Sequence, residues 1–209
     1  MNYIGFKNRY QDTPVINLAS LQGLSKNPVS LTSNVNKWVK KGYLYRLRNN
    51  LYALNDNDRK AGLSRLFIAN NIYTPSYVSL EYAMFYHGLI PETVYEITSV
   101  STAKTASFNN HFGVFTYSTI KKELFFGVLN VKDENSMPVF IAEPEKALLD
   151  FVYTRFCRGK NSADAGVFVK KNRVQNAGGL DKKKYSAYLM KYPATCRESL
   201  KQALKEAEK

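Results

Sequence analysis

The hydrophobic period changes abruptly around residue 42, and that switch constrains the fold more than any other feature of the chain. Leu31, Val35, Trp38 and Val39 fall at i, i+4, i+7 and i+8, the apolar stripe of a helix from about 30 to 41. Gly42 stands where the left-handed residue past a helix end belongs. Two β-prone runs follow, 43–47 and 51–54, around the polar Arg48, Asn49 and Asn50, and they predict a hairpin. Upstream, Asn17 is placed to cap a helix that turns Leu18 and Leu21 inward and stops near Gly23. Residues 24–28 read as a turn, and residues 2–10 as a short first helix. Helix, turn, helix and a hairpin with a basic tip form the winged helix-turn-helix pattern. It accounts for residues 1–56, up to the turn formers at 55–58.

Charge points the same way. The 209 residues carry 30 Lys and Arg against 17 Asp and Glu, a formal net charge of +13. Residues 1–60 hold 10 basic and 3 acidic side chains, residues 61–160 hold 9 of each, and residues 161–209 hold 11 and 5. A basic block attracts polyanions because neutralised phosphates release their condensed counterions. A merely solvated face is the competing reading.

Opposite its apolar stripe the third helix presents Ser30, Ser33, Asn34, Lys37, Lys40 and Lys41. The second helix of such a pair enters the major groove. Asn pairs with adenine there, and Ser donates or accepts. The three lysines suit phosphates, and Arg46, Arg48 and Asn49 on the hairpin suit a flanking groove or backbone. Trp38 lies on the apolar stripe and reads as core. A second set of nucleic-acid contacts is drawn from Lys170, Lys171, Arg173, Lys182, Lys183 and Lys184 in the basic C-terminal part.

Residues 57–209 read as a mixed α/β unit that ends in a basic, mainly helical part over 160–209. A helix is expected over 58–71 with Leu63, Leu66, Phe67 and Ile72 inward, and another from Ser79 to His87, stopped by Gly88. Strands are expected at 96–101, 112–117, 124–131 and 138–142. A helix led by Pro144 should bury Leu148, Phe151, Val152 and Phe156. Residues 197–208 read as a weakly packed or exposed final helix, and 158–162 as a possible boundary. The overall class is α+β.

Most enzyme signatures are absent. His87 and His111 make no metal spacing with Cys157 and Cys196, and no glycine pattern forms a phosphate cradle. Glu143, Glu145 and Lys146 could in principle hold a metal for hydrolysis, but Pro144 separates the acids and both sit in the first turn of a helix, where carboxylates belong. No catalytic residue, metal or cofactor is therefore assigned, and the chain reads as a non-enzyme. The N-terminal residues lack a secretory apolar core and no apolar run reaches ~20 residues, so no membrane association is expected and the cytoplasm is the default compartment.

Several stretches carry a more specific likeness: PSYVSLEYA (75–83), YHGLIPE (86–92), ITSVST (97–102), FGVFTY (112–117), IKKELFFG (120–127) and AEPEKALLD (142–150). With the upstream pattern they resemble the AbiEi-type antitoxins of bacterial abortive-infection systems, over roughly residues 10–156. The resemblance implies an N-terminal winged helix that binds inverted repeats in its own promoter and represses a two-gene operon. It implies a C-terminal α/β domain that counters a nucleotidyltransferase-like toxin in a type IV system, without a stable complex. The third helix carries Asn34 and Asn36 and no arginine, so the operator need not match that of any relative. A standalone regulator without a toxin remains the alternative.

Overall fold

The computed structural model describes residues 2–24, 27–158 and 164–209. The architecture is mixed α+β, with two separate sheets.

The first part runs α1 (Tyr3–Tyr10), β1 (Ile16–Asn17), α2 (Leu18–Leu24), α3 (Pro28–Lys40), β2 (Leu44–Arg48) and β3 (Leu51–Leu54). The Asn17 side chain accepts from the backbone N–H groups of Ala19 and Ser20, as a cap should. Helix α3 starts two residues earlier than its apolar stripe suggests. Pro28 occupies the first turn and the Asn27 side chain accepts from Ser30 N. Ser25 and Lys26, in the expected turn, lie outside the described residues. Gly42 adopts φ +72°. The hairpin turns on Asn49 and Asn50, so Arg48 is the last residue of β2 and not part of the turn. The strands form an antiparallel sheet in the order β1-β3-β2. Phe6, Ile16, Leu18, Leu31, Val35, Trp38, Leu44, Tyr52 and Leu54 make its core.

The second part contains α4 (Arg65–Ile72), β4 (Ser76–Val78), α5 (Leu80–Tyr86), β5 (Ile97–Ser101), β6 (Ala106–Asn110), β7 (Gly113–Thr119), β8 (Val128–Lys132), β9 (Pro138–Ala142) and α6 (Pro144–Val152), continued by a π-helical turn to Cys157. Three helices close it: α7 (Ala165–Lys171), α8 (Lys182–Leu189) and α9 (Ala194–Ala207). The mixed six-stranded sheet has the order β6-β7-β5-β4-β9-β8. Strand β6 is therefore an edge, antiparallel to β7, and β7 runs parallel to β5.

Four expectations need correction. The helix expected over 58–71 begins only at Arg65, where Ser64 accepts from Phe67 N. Residues 55–61 are instead a turn tied back to the first helix, with Lys60 N and Ala61 N both donating to Gln11 O. The buried residues of α4 are Ile68, Ala69, Asn70 and Ile72; Leu63 and Leu66 are half-buried but pack against the core as expected, and Phe67 is half-buried. The strand expected over 124–131 starts at Val128 and follows a 3₁₀ turn at Lys122–Leu124. The final helix is not weakly packed: Cys196, Leu200, Ala203 and Ala207 are buried against the rest of the second core. The boundary expected at 158–162 falls mostly on residues outside the described set.

The two parts interlock. Leu47, Leu51 and Ala53 of the hairpin belong to the larger core, not to the smaller one. Asn110 Nδ2 donates to Leu47 O at 3.0 Å, and Tyr45 stacks on His111 at 3.9 Å with the rings within 7° of parallel. The hairpin is thus laid along the β6 edge. Backbone groups on an exposed edge strand would otherwise invite foreign pairing.

Candidate nucleic-acid interface

The sequence holds no Asp or Glu from Thr13 to Asn55, and this acid-free stretch carries α2, α3 and the hairpin. Helix α3 turns Leu31, Val35 and Trp38 inward, where Trp38 meets Phe6 at 4.9 Å and Tyr3 at 5.5 Å. Gln22 Nε2 donates to Thr32 Oγ1 at 2.7 Å and fixes α2 against α3. The opposite side of α3 is solvent-exposed at Ser30, Ser33, Asn36, Lys37 and Lys40, and Lys41 continues it past the last turn. Asn34 sits at the flank of this face and is half-buried. Of the residues read from the sequence as base and phosphate contacts on this helix, all but Asn34 therefore share one open surface.

The hairpin divides its three candidates. Arg46 is exposed and reaches across to α3, donating from Nη2 to Asn36 Oδ1 at 2.9 Å, with its guanidinium 5.7 Å from the Tyr52 ring centre. Asn49 is exposed at the turn. Arg48 is half-buried between the hairpin and the second sheet, and its Nε is enclosed without a hydrogen-bond partner. The turn itself is held, because Leu18 N donates to Asn50 O at 2.8 Å. Asn36 is the residue whose contact the sequence left unread. Its i, i+10 link to Arg46 crosses from a helix to a strand, and no period within either element reveals it.

Of the six basic residues of the C-terminal part, Lys170, Lys171, Arg173, Lys182 and Lys183 are exposed and Lys184 is half-buried. Arg173 pairs with Glu92, Lys182 with Glu208 and Lys184 with Glu143, at 2.8, 2.9 and 3.5 Å. Lys170 and Lys171 lie at the end of α7 and Lys183 on the first turn of α8. Three of the six thus form ion pairs, and Lys170 and Lys183 lie near the carboxylates of Glu206 and Asp181.

The residues considered for hydrolysis are engaged in packing. Glu143 Oε2 accepts from Tyr188 OH at 2.7 Å, and Glu145 Oε1 accepts from Asp181 N at 2.9 Å. Lys146 is fully buried, bonded to Asp150 one helical turn on and to Tyr192 OH at 2.8 Å. Burial pulls the Lys146 ammonium below its usual range, and the Asp150 carboxylate opposes that shift. Tyr77 and Ser79 both donate to Asp150 Oδ2 at 2.9 Å, which completes a closed polar network. His87 Nε2 lies 2.7 Å from Ala142 O, and His111 is occupied by its stack on Tyr45. Among the described residues, no group of three His, Cys, Asp or Glu side chains is placed to hold a metal ion. No described helix is long and apolar enough to cross a membrane.

Neither a family model nor a curated protein matches this chain.

Proposed function

We propose that the chain is a DNA-binding transcriptional regulator that reads duplex DNA with α3 and the adjoining hairpin, in the manner of a winged helix-turn-helix. The carrying observation is the exposed side of α3, with Ser30, Ser33, Asn36, Lys37, Lys40 and Lys41 and no acidic residue, linked to Arg46 through Asn36. The order of elements supports the reading: α2, α3, then a two-stranded hairpin. On it, Ser30, Ser33 and the asparagines face base edges, while the lysines and Arg46 hold phosphates. The resemblance to AbiEi-type antitoxins extends the proposal. The chain would repress its own operon from inverted repeats and counter a nucleotidyltransferase-like toxin through its second part, acting as an antitoxin and not as an enzyme.

The test compares the wild-type chain with a Lys37→Ala, Lys40→Ala, Arg46→Ala triple variant in fluorescence-anisotropy titrations on its own upstream DNA. The triple variant should bind more weakly, with a salt slope shallower by about three units, one per phosphate contact. Unchanged affinity and slope would overturn the assignment of the face. The antitoxin part is read by co-expression with the neighbouring gene product. Rescue of growth by this chain supports it, and no toxicity to rescue would leave the standalone regulator.

A further inference from the structure

Beside the proposed reading face lies a groove of about 410 Å³ between the hairpin and the edge strand of the second sheet. Arg46, Leu47, Arg48 and Asn49 form one wall, and Ser107, Phe108 and Asn109 of β6 form the other. The bond from Asn110 to Leu47 O bridges the two walls next to it. Ser107 and Asn109 alternate with Phe108 along β6, so both project to the exposed side of the strand. No carboxylate lines the groove, and neither arginine enters an ion pair among the described residues. Arg48 is the telling residue. Its guanidinium is half-buried, lines the groove and enters no ion pair among the described residues, so its charge is free to meet an anion there.

We infer that this groove binds the sugar-phosphate backbone of duplex DNA, so that Ser107 and Asn109 of the second part contact the same duplex as α3. The inference rests on the reading of α3 as the DNA-binding helix. Arg46 joins the two surfaces, since it lines the groove and also bonds Asn36 on α3. A phosphodiester oxygen in the groove would accept from Arg46, Arg48, the Asn109 amide and the Ser107 hydroxyl. Such contacts set the position of the protein on the duplex and carry no sequence information.

The experiment uses the full chain carrying Ser107→Asp and Asn109→Asp, both at exposed positions, titrated against a duplex of its own upstream sequence and a scrambled duplex. Thermal unfolding of the variant checks that the fold is kept. Asn109→Ala alone, which adds no charge, serves as the second variant should the double one unfold. The double variant should lose about tenfold in affinity for both duplexes by the same factor, and its salt slope should be shallower by about one unit. Asn109→Ala should lose affinity in the same direction and equally for both duplexes. Full affinity and slope in these variants, while Lys37→Ala still weakens binding, would overturn the groove and leave the α3 reading standing. Loss confined to the upstream duplex would also overturn it, because a backbone contact cannot discriminate sequence. If Lys37→Ala has no effect either, the underlying reading fails with it.

Discussion

Lys146 and Asp150 are four residues apart on α6, a spacing that on an ordinary helix makes a solvated ion pair of small worth. Here every residue from Glu145 to Val152 is buried, so the pair is sealed inside with Tyr77, Ser79 and Tyr192. Asp150→Ala removes the only carboxylate in that network and strands the ammonium. We expect it to cost about 3–5 kcal/mol in denaturant unfolding. Adding Lys146→Met should recover part of that loss, and strict additivity of the two changes would contradict the account. The i, i+4 spacing in the sequence says nothing of burial, because the cover comes from other elements, with Tyr77, Phe126 and Tyr192 all at least twenty positions away. A second, partly buried contact ties the first helix to the turn after the hairpin: Tyr3 OH donates to Asp58 at 2.6 Å and Lys7 pairs with it at 3.1 Å. The Tyr3 hydrogen bond, helped by Lys7, holds the Asp58 carboxyl below the usual carboxylate range. A lowered folded-state value contributes stability that is present above the unfolded pKa of about 4 and is lost as pH falls through the folded value. Asp58→Asn should therefore flatten the fall of stability on acidification, as followed by thermal melts from neutral pH downwards.

The element most legible in the sequence is α3. Its stripe, its Gly42 stop and the existence of a hairpin after it stand where the residue pattern puts them, while the turn is one residue tighter than the pattern suggests, with Arg48 in β2. The elements that escaped are those whose signals are short or chemically mild. Strand β4 is three residues long, and β6 is an edge strand of small polar residues around Phe108. Helix α9 is expected from the sequence but its burial is not: Cys196, Leu200, Ala203 and Ala207 fall at helical spacing, and cysteine and alanine weigh little in an apolar stripe. Residues 58–63 carry only Ala61 and Leu63 as apolar side chains, and hydrogen bonds from Lys60 N and Ala61 N to Gln11 O hold them in a turn rather than a helix. Gly42 gives a direct test of the α3 stop. A Cβ there would meet open space, so the only penalty of Gly42→Ala is the left-handed backbone at φ +72°. We expect a loss of about 1 kcal/mol by chemical denaturation, and an unchanged or raised stability would contradict the C-terminal geometry.

For the molecule as a whole, the consequential feature is the seam along β6. Sequence composition divides the chain near residue 56, yet Leu47, Leu51 and Ala53 pack in the larger core, and Tyr45 stacks on His111 across the seam. That seam pairs residues from segments some sixty positions apart, which no local pattern reports. Calorimetry should accordingly show one cooperative transition for the full chain. Tyr45→Ala should lower its midpoint without splitting it, whereas two separated transitions would contradict an interlocked core. The same seam places the acid-free face of α3, Arg46 and the β6 groove on a continuous surface, and DNA binding by that surface is the central claim. Its most direct test is a titration of the purified chain against its own upstream DNA and a scrambled duplex at 50 and 200 mM salt. The account predicts tighter binding to the upstream duplex and, for about five phosphate contacts, a loss of several hundredfold in affinity between the two salt concentrations. Equal affinity for both duplexes, or binding indifferent to salt, would contradict it.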